Sequence, residues 1–552
     1  MPFADTLFNN PAYQTFKRRH VFFTALLCVA WMLPGLVGHD PWKPDEAYSF
    51  GLVYHILQSG DWVVPTLAGE PFMEKPPLFY LTAALCAKLL SPLLPLHDGA
   101  RFANMIYMAF TFLFVGLAGR ELHGRGYGWV SVLVLLGCLG LLVRTHQLIT
   151  DVALLAGFGI ALYGLALAAR RPLLAGLWLG TGAGVGFMAK GLIAPGVLGI
   201  IALALPLFPA WRKREYIATL SAALLAALPW LIVWPVALYL RSPELFTEWL
   251  WTNNFGRFLG FAQLGPAAEP GFYFSILPWY GWPALPLALW TLWREGRKGL
   301  ALPALQLPLL AFAAILFVLS IASDAREVYA LPMLPPLALL AAGGIGTLRR
   351  GAANALYWFG VMGFTFFAGV AWLYWVAMDL GVPEHLAQHL NDLQPGYTPA
   401  LRIGAVALAA FYTAAWIITV LRVKRSAHRP IVIWAAGITT LWGLVMILMV
   451  GWLDTGKSYR SMIASLQQAL PKKYDCISSM HLGEPQRALL QYFAGIVTYR
   501  LDEPQRARQC QLLITHGAVG GEFLPPGKWQ KIWEGARPGD DSERDRLYVR
   551  ER

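Results

Sequence analysis

The chain has 552 residues, of which 57% are hydrophobic and only 14% charged. Soluble proteins carry about 45–50% and about 25% of these classes, and mean hydropathy here is +0.50. A soluble multidomain protein, a disordered chain, a collagen-like repeat and a small disulfide scaffold are excluded, which leaves a polytopic membrane protein. The net charge of +12 would suit nucleic acid, but the positions of the cations argue for topology instead.

A bilayer core of about 30 Å takes about 17–25 apolar residues per helix. In chain order the sequence offers thirteen such runs: 21–37, 101–118, 129–143, 152–169, 173–189, 191–209, 217–240, 274–293, 303–320, 328–347, 354–377, 401–421 and 431–453. The third is short, and only Lys190 and a glycine divide the fifth from the sixth. With the N-terminus in the cytoplasm, the inner segments hold Lys17, Arg18 and Arg19; Arg120 and Arg125; Arg170 and Arg171; Arg212, Lys213 and Arg214; Arg294, Arg297 and Lys298; Arg349 and Arg350; and Arg422, Lys424, Arg425 and Arg429. Those nineteen cations occupy every inner loop, and the outer loops lack such clusters. This is the positive-inside pattern. An odd number of spans then puts the C-terminus outside. No cleavable signal peptide is expected: the first run follows three cations and has no small-residue cleavage site after it.

The reading divides the chain into a transmembrane domain, 1–453, with outer loops 38–100 and 241–273, and an outer domain, 454–552. In the first loop, Glu46–Gln58 reads as an amphipathic helix and Pro77–Leu90 as a second apolar segment. In the tail, Ser458–Leu470 and Gln486–Phe493 read as helices, and Tyr474–Ser478, Ile496–Leu501 and Leu512–Thr515 as strands. The expected fold is therefore an all-α polytopic membrane domain with a small C-terminal α/β domain. Cys28, Cys86 and Cys138 sit in apolar runs as small hydrophobes. Cys476 and Cys510 fall on neighbouring candidate strands, as a disulfide or as two buried thiols.

Charges near membrane depth are costly and need a reason to persist. Those on the outer side gather in a few places. Asp45 and Glu46 follow Trp-Lys-Pro, and Glu74 and Lys75 precede two prolines. Asp151 starts the fourth span after Arg144 and His146, and Lys190 ends the fifth. Asn253, Asn254 and Arg257 lie in the second loop; Asp324, Arg326, Glu327 and Tyr329 open the tenth span. Their common side predicts a cavity at the outer interface. Its cations would bind phosphate, Arg through a planar fork and Lys as a point charge. Its carboxylates would position a nucleophile or take its proton. Each group also has a structural alternative. Asp45–Glu46 or Asp151 would cap helices. Lys190 would snorkel. Arg326 would pair with Asp324 and Glu327 on the surface, and Asn254 and Arg257 would belong to an exposed loop. No zinc spacing, P-loop, dinucleotide fingerprint or Cys-x-x-Cys occurs.

The run Asp61-Trp62-Val63-Val64-Pro65, Gly69-Glu70-Pro71 and Glu74-Lys75-Pro76-Pro77-Leu78 resembles the first outer loop of the polyprenyl-phosphate-dependent glycosyltransferases of GT-C fold. Pro44-Asp45-Glu46 resembles their acidic motif. Phe187-Met188-Ala189-Lys190-Gly191 and Arg326-Glu327-Val328-Tyr329-Ala330-Leu331-Pro332 resemble two further signatures. Length, spans and tail resemble most the branch that transfers 4-amino-4-deoxy-L-arabinose to lipid A. The resemblance implies an enzyme of the bacterial inner membrane with a periplasmic site. Its donor would be a sugar on undecaprenyl phosphate and its acceptor a lipid A phosphate, giving a more cationic lipid A and polymyxin resistance. By the same resemblance, Asp45, Glu46 and Asp151 are catalytic candidates. Lys75, Lys190, Asn254, Arg257, Arg326 and Tyr329 are substrate-binding candidates. A divalent metal, zinc, is implied with Glu74 as its best-placed ligand, and no nucleotide cofactor. The partners expected are the lipid-linked donor, lipid A and membrane lipid, with no nucleic acid, and the chain is taken as a monomer. The rivals are a sibling transferase acting on protein Ser or Thr or on another glycan, and a lipid or sugar transporter. A transporter would show paired repeats with polar groups near the midplane, and the sequence shows no such repeat.

Overall fold

The computed structural model describes residues 11–262, 266, 268–501, 507, 509–521 and 527–550; the side chains of Lys17 and Arg18 lie outside the described part. Helices dominate in the order α1 (Pro11–Met32), α2 (Asp45–Ser59), α3 (Leu78–Leu90), α4 (Leu96–His123), α5 (Gly128–Leu136), α6 (Asp151–Leu167), α7 (Pro172–Lys190), α8 (Ile193–Ala204) and α9 (Arg214–Arg241). They continue as α10 (Phe272–Tyr280), α11 (Ala284–Gly299), α12 (Pro303–Ile321), α13 (Leu334–Gly344), α14 (Arg350–Leu380), α15 (Glu384–Leu393), α16 (Ile403–Arg422) and α17 (Arg429–Lys457). A small hairpin, β1 (Thr66–Leu67) with β2 (Glu70–Pro71), interrupts the first loop.

All thirteen apolar runs fold mainly as helix, but the count of full spans is smaller. Among the described residues, eight helices are long and apolar enough to cross a membrane, or nine with one bent pair. That pair is the short third run, which breaks between Leu136 and Leu139 and turns by 76°. The 17 residues of α6 reach only about 26 Å at 1.5 Å per residue. The eighth run is cut by Gly281–Pro283 into α10 and α11. The tenth counts among the full spans although it begins as a tight helical segment, Glu327–Met333, around Pro332 before α13 continues. Proline removes a helical donor and forces such breaks. Apolar composition therefore identified membrane-embedded segments more reliably than it counted uninterrupted crossings.

The core lies between α4, α6, α7 and α9, where glycines allow close approach. A Cβ on Gly157 would lie 2.7 Å from the carbonyl oxygen of Gly182, and one on Gly182 would lie 2.5 Å from that of Gly157. Such small-residue seams are how membrane helices pack tightly.

Beyond α17 the chain forms α18 (Arg460–Ala469), β3 (Ile477–Met480), α19 (Glu484–Ala494), β4 (Thr498–Arg500), β5 (Leu512–Ala518), β6 (Trp529–Gly535) and β7 (Glu543–Arg550). The sheet order is β4-β3-β5-β7-β6, with β3 parallel to both neighbours and β7 antiparallel to both of its own. The two helices and three strands expected in the tail are present, with the first strand two to three residues later than read. Strands β6 and β7 were not expected. Their alternation is masked by charges: β7 begins Glu-Arg-Asp-Arg. Cys476 and Cys510 form a disulfide.

Candidate active site

The cluster is assembled from six separate chain segments, around residues 45–48, 74–75, 144–151, 190, 257 and 324–329. Helix α2 begins directly after Pro44, and neither Asp45 nor Glu46 is spent on a side-chain cap at that residue. Adjacent helical positions point about 100° apart, and the two carboxylates diverge accordingly. Asp45 faces Arg326, 3.6 Å away. Glu46 turns into the protein, 2% exposed, where Arg101 Nε donates to it at 2.6 Å and Trp42 N at 3.1 Å. Arg101 is fully buried and spends its other donors on Asp98, His39 and Asp40. Glu46 therefore does not join the groups around Asp45. Its position is that of a structural anchor, which corrects its place among the catalytic candidates.

Three residues further along the same helix face stands Tyr48, whose hydroxyl accepts from Lys75 Nζ at 2.7 Å. Burial, with Asp45 and Glu74 adding to it, pushes the Tyr48 phenol well above its ordinary value, so it stays neutral. Burial alone would depress the Lys75 ammonium. The acidic groups around it, among them Tyr80, Glu74 and Asp151, outweigh this and hold it above the usual lysine value. Lys75 is thus a charged ammonium facing a neutral partner.

The second loop contributes Arg257, brought inward by a stretch of wide, π-type turns over Glu248–Gly256. Such wide turns are enriched at functional sites. Arg257 Nε donates to Asp324 at 2.9 Å, Nη1 to Glu74 at 3.4 Å and Nη2 to the Tyr329 hydroxyl at 3.0 Å. Lys190, at the C-terminus of α7, bonds Asp151 and lies 3.9 Å from the centre of the Tyr329 ring. Asp151 and Lys190 are therefore partners across the cluster, not a cap and a snorkelling side chain. Arg144 donates to Glu327 at 3.2 Å. The expected surface pairing of Arg326 with its own neighbours does not form: Asp324, Arg326 and Glu327 each go to a different segment.

Asn254 does something else. Its Oδ1 accepts from Leu192 N at 3.0 Å and its Nδ2 donates to Trp249 O at 2.7 Å. It closes on Gly191, whose φ is +72° and where a Cβ would lie 2.2 Å from Asn254 Oδ1. Asn254 shapes the turn after Lys190. Asn253 is tied to Glu248 O at 3.4 Å.

Five cations (Lys75, Arg144, Lys190, Arg257, Arg326) thus meet five carboxylates (Asp45, Glu74, Asp151, Asp324, Glu327). Of these cations, Lys75 alone has no ion pair among the described residues and is held by a hydroxyl instead. The Tyr80 hydroxyl is fully buried and has no hydrogen-bond partner among the described residues. Tyr48 and Tyr80 escaped the sequence reading. The available signal for Tyr48 was its i+3 spacing from Asp45 on one helix face; Tyr80 gave none, because it sits in an apolar run.

The implied zinc does not fit these residues. Glu74 is engaged by Arg257, and the described residues contain no group of three or more His, Cys, Asp or Glu able to hold a metal ion.

Residues 74–239 match the family model described as dolichyl-phosphate-mannose-protein mannosyltransferase. The undecaprenyl phosphate-alpha-4-amino-4-deoxy-L-arabinose arabinosyl transferase of Pseudomonas aeruginosa (strain UCBPP-PA14) is 28% identical over 282 residues, 48% of this chain and 50% of that protein. The corresponding transferase 1 of Sodalis glossinidius is 32% identical over 276 residues, 46% of this chain and 48% of that protein. In these alignments the chain spans about half the length of the curated relatives it matches. Among solved structures, ArnT from Cupriavidus metallidurans bound to undecaprenyl phosphate superposes with a TM-score of 0.66 at 17% identity, over 96% of this chain and 97% of that one. Its apo state gives 0.65. At that identity the likeness establishes the fold. The chain is a multi-span membrane protein of GT-C fold with a small C-terminal α/β domain, and it is similar to undecaprenyl phosphate-dependent aminoarabinose transferases.

Proposed function

We propose that this chain is a glycosyltransferase that moves 4-amino-4-deoxy-L-arabinose from undecaprenyl phosphate to a phosphate of lipid A at the periplasmic face of a bacterial inner membrane. The observation that carries the reading is Lys75: a charged ammonium resting on the neutral Tyr48 hydroxyl, beside Arg257 and Tyr329. An anionic group entering there gains a cation without breaking an ion pair.

The donor phosphate would lie against Lys75 and the Arg257–Tyr329 pair. When the bond between the sugar's anomeric carbon and the donor phosphate oxygen breaks, that phosphate gains negative charge. Preorganised cations stabilise charge where it develops. Glu74 and Asp324 hold the Arg257 fork in place, and Asp151 holds Lys190 against Tyr329. A lipid A phosphate oxygen forms the new bond to the anomeric carbon, and undecaprenyl phosphate leaves. The attacking phosphate is already ionised at neutral pH, so no strong base is required. Asp45 would orient the acceptor or sugar and stabilise positive charge on the ring. The product carries an added ammonium, which reduces attraction for cationic peptides such as polymyxin.

The nineteen inner cations support a cytoplasmic N-terminus. The Cys476–Cys510 disulfide supports an oxidising, periplasmic setting for the C-terminal domain. A cysteine introduced at Lys472 should be labelled from outside the inner membrane; labelling only after that membrane is opened would reverse the orientation. Mass spectrometry of lipid A from cells with and without the gene tests the reaction, the expected result being gain of aminoarabinose. A second reading, transfer to protein Ser or Thr, is favoured by the family model over residues 74–239. Glycosylated protein with unmodified lipid A would select it.

A further inference from the structure

The C-terminal domain is tied by ion pairs to the same segments that carry the site. Arg487 of α19 grips the Glu70 carboxylate with both terminal nitrogens, at 2.9 and 2.5 Å, and Arg500 Nε adds a third contact at 3.0 Å. The Arg487 side chain is only 4% exposed, and it is itself fixed by the Thr498 carbonyl at 3.1 Å. Glu70 opens β2, four residues before Glu74 and five before Lys75. Nearer Asp45, Lys43 pairs with Glu543 of β7 at 3.2 Å, and Asp40 pairs with Arg460 of α18.

The packing leaves no slack between these pieces. At Gly51 of α2 an added Cβ would lie 2.5 Å from Leu67 Cδ1 of the hairpin and 2.7 Å from Ala488 Cβ of α19. Helix, hairpin and C-terminal domain therefore meet at one point. The hairpin has only two paired positions, and an isolated two-stranded ribbon is at best marginally stable in water. An external anchor has to hold it. A bidentate arginine fixes direction as well as distance. Pro71 lies between the anchor and the site, and Pro76–Pro77 follow Lys75 directly; their fixed φ stiffens both flanks of the Glu74–Lys75 segment.

We propose that the C-terminal domain clamps the candidate active site, with Glu70 and Arg487 as positioning residues that set where Glu74 and Lys75 stand. The clamp goes beyond the transfer reaction proposed above and rests on it only for the ligand Lys75 meets. It assigns the C-terminal domain a part in the chemistry that does not require the domain to touch substrate.

The test uses the full-length protein in detergent, with Arg487→Gln, Arg487→Lys and Glu70→Gln. Leu547→Ala serves as a control that weakens the domain's own core away from Glu70. Two quantities are read: amide exchange at Val63, Val64 and Phe72, which are protected by Asp61 and Pro65, and affinity for undecaprenyl phosphate. Truncating one partner of a buried charge pair is expected to speed exchange and weaken binding at least about tenfold. Arg487→Lys, which keeps charge but loses the fork, should recover part of both. Leu547→Ala removes a fully buried side chain and should lower the melting temperature, but it should change loop exchange and binding by less than the Arg487 and Glu70 variants do. Unchanged loop exchange in both Arg487→Gln and Glu70→Gln would overturn the clamp, as would an equal effect from Leu547→Ala. If the wild type does not bind undecaprenyl phosphate, the donor reading fails while the exchange measurement still decides the clamp.

Discussion

Replacing Lys75 by Met keeps the length and apolar stem of the side chain and removes its charge. In the wild-type protein Nζ donates to Tyr48 at 2.7 Å. With donor bound, that ammonium would instead face a phosphate oxygen. A hydrogen bond to a charged group contributes about 1.5–3 kcal/mol, and about 1.4 kcal/mol is tenfold in affinity. Lys75→Met should therefore weaken undecaprenyl phosphate binding by about 10- to 150-fold. The fold should tolerate the change. The Tyr48 hydroxyl loses its donor, at a cost of about 1–3 kcal/mol, but an ammonium no longer has to be kept charged in a partly buried place. Adding Tyr48→Phe should recover stability without recovering affinity. Titration calorimetry with purified protein reads the affinity, and thermal unfolding in the same detergent reads the stability. Wild-type affinity in Lys75→Met would refute the assignment of Lys75 to the phosphate. So would recovery of affinity in the double variant, because affinity would then follow folding and not charge.

Arg257→Ala removes the cation shared by Glu74 and Asp324; it should lower both donor affinity and melting temperature, since unpairing buried charges costs about 3–5 kcal/mol. Asp45→Asn should abolish most turnover while leaving unfolding and undecaprenyl phosphate binding near wild type, because among the described residues Asp45 pairs only with Arg326, at 3.6 Å; retention of turnover in a reconstituted assay would remove Asp45 from the mechanism. Glu46→Gln should behave oppositely, with lower yield and melting temperature but substantial activity per folded molecule, as expected when the fully buried Arg101 loses one of its two carboxylates. The two buffered histidines should oppose each other in pH. Burial first, then Arg101, lowers His39 from 6.5 to about 4. Its contribution is complete above pH 6.5 and is lost as pH falls towards 4, by up to about 3 kcal/mol at 1.36 kcal/mol per pKa unit. The hydrogen bond to Asp545 raises His516 above 6.5. Its contribution is complete below pH 6.5 and is lost as pH rises through the raised value. Melting curves of His39→Asn should lose the acid-side decline, and those of His516→Gln the acid-side gain.

The sequence by itself determined the environment, the side and the ingredients. Fourteen per cent charged residues cannot cover a soluble surface, and hydrocarbon permits only structures that satisfy their own backbone, so helices followed from composition. Asp45, Lys75, Asp151, Lys190, Arg257, Arg326 and Tyr329 stood out because a charged or polar group at membrane depth is costly unless paired. What composition could not supply was the pairing. Asp45 and Glu46 are neighbours in sequence, yet one helical step of about 100° sends one towards Arg326 and the other into the Arg101 anchor. Asp324, Arg326 and Glu327 look like a local surface cluster, yet each bonds a different distant residue: Arg257, Asp45 and Arg144. Asn254 reads as a ligand and is a backbone brace, since the obstruction it answers is Gly191, more than sixty residues earlier. The number of full spans was likewise decided by short helices and by breaks such as those at Gly137–Cys138 and Gly281–Pro283, and the strands β6 and β7 by sheet pairing. The contacts between the first outer loop and α19 join residues about 417 positions apart. Periodicity is a property of neighbours along the chain, whereas a site made of ion pairs is a property of neighbours in space.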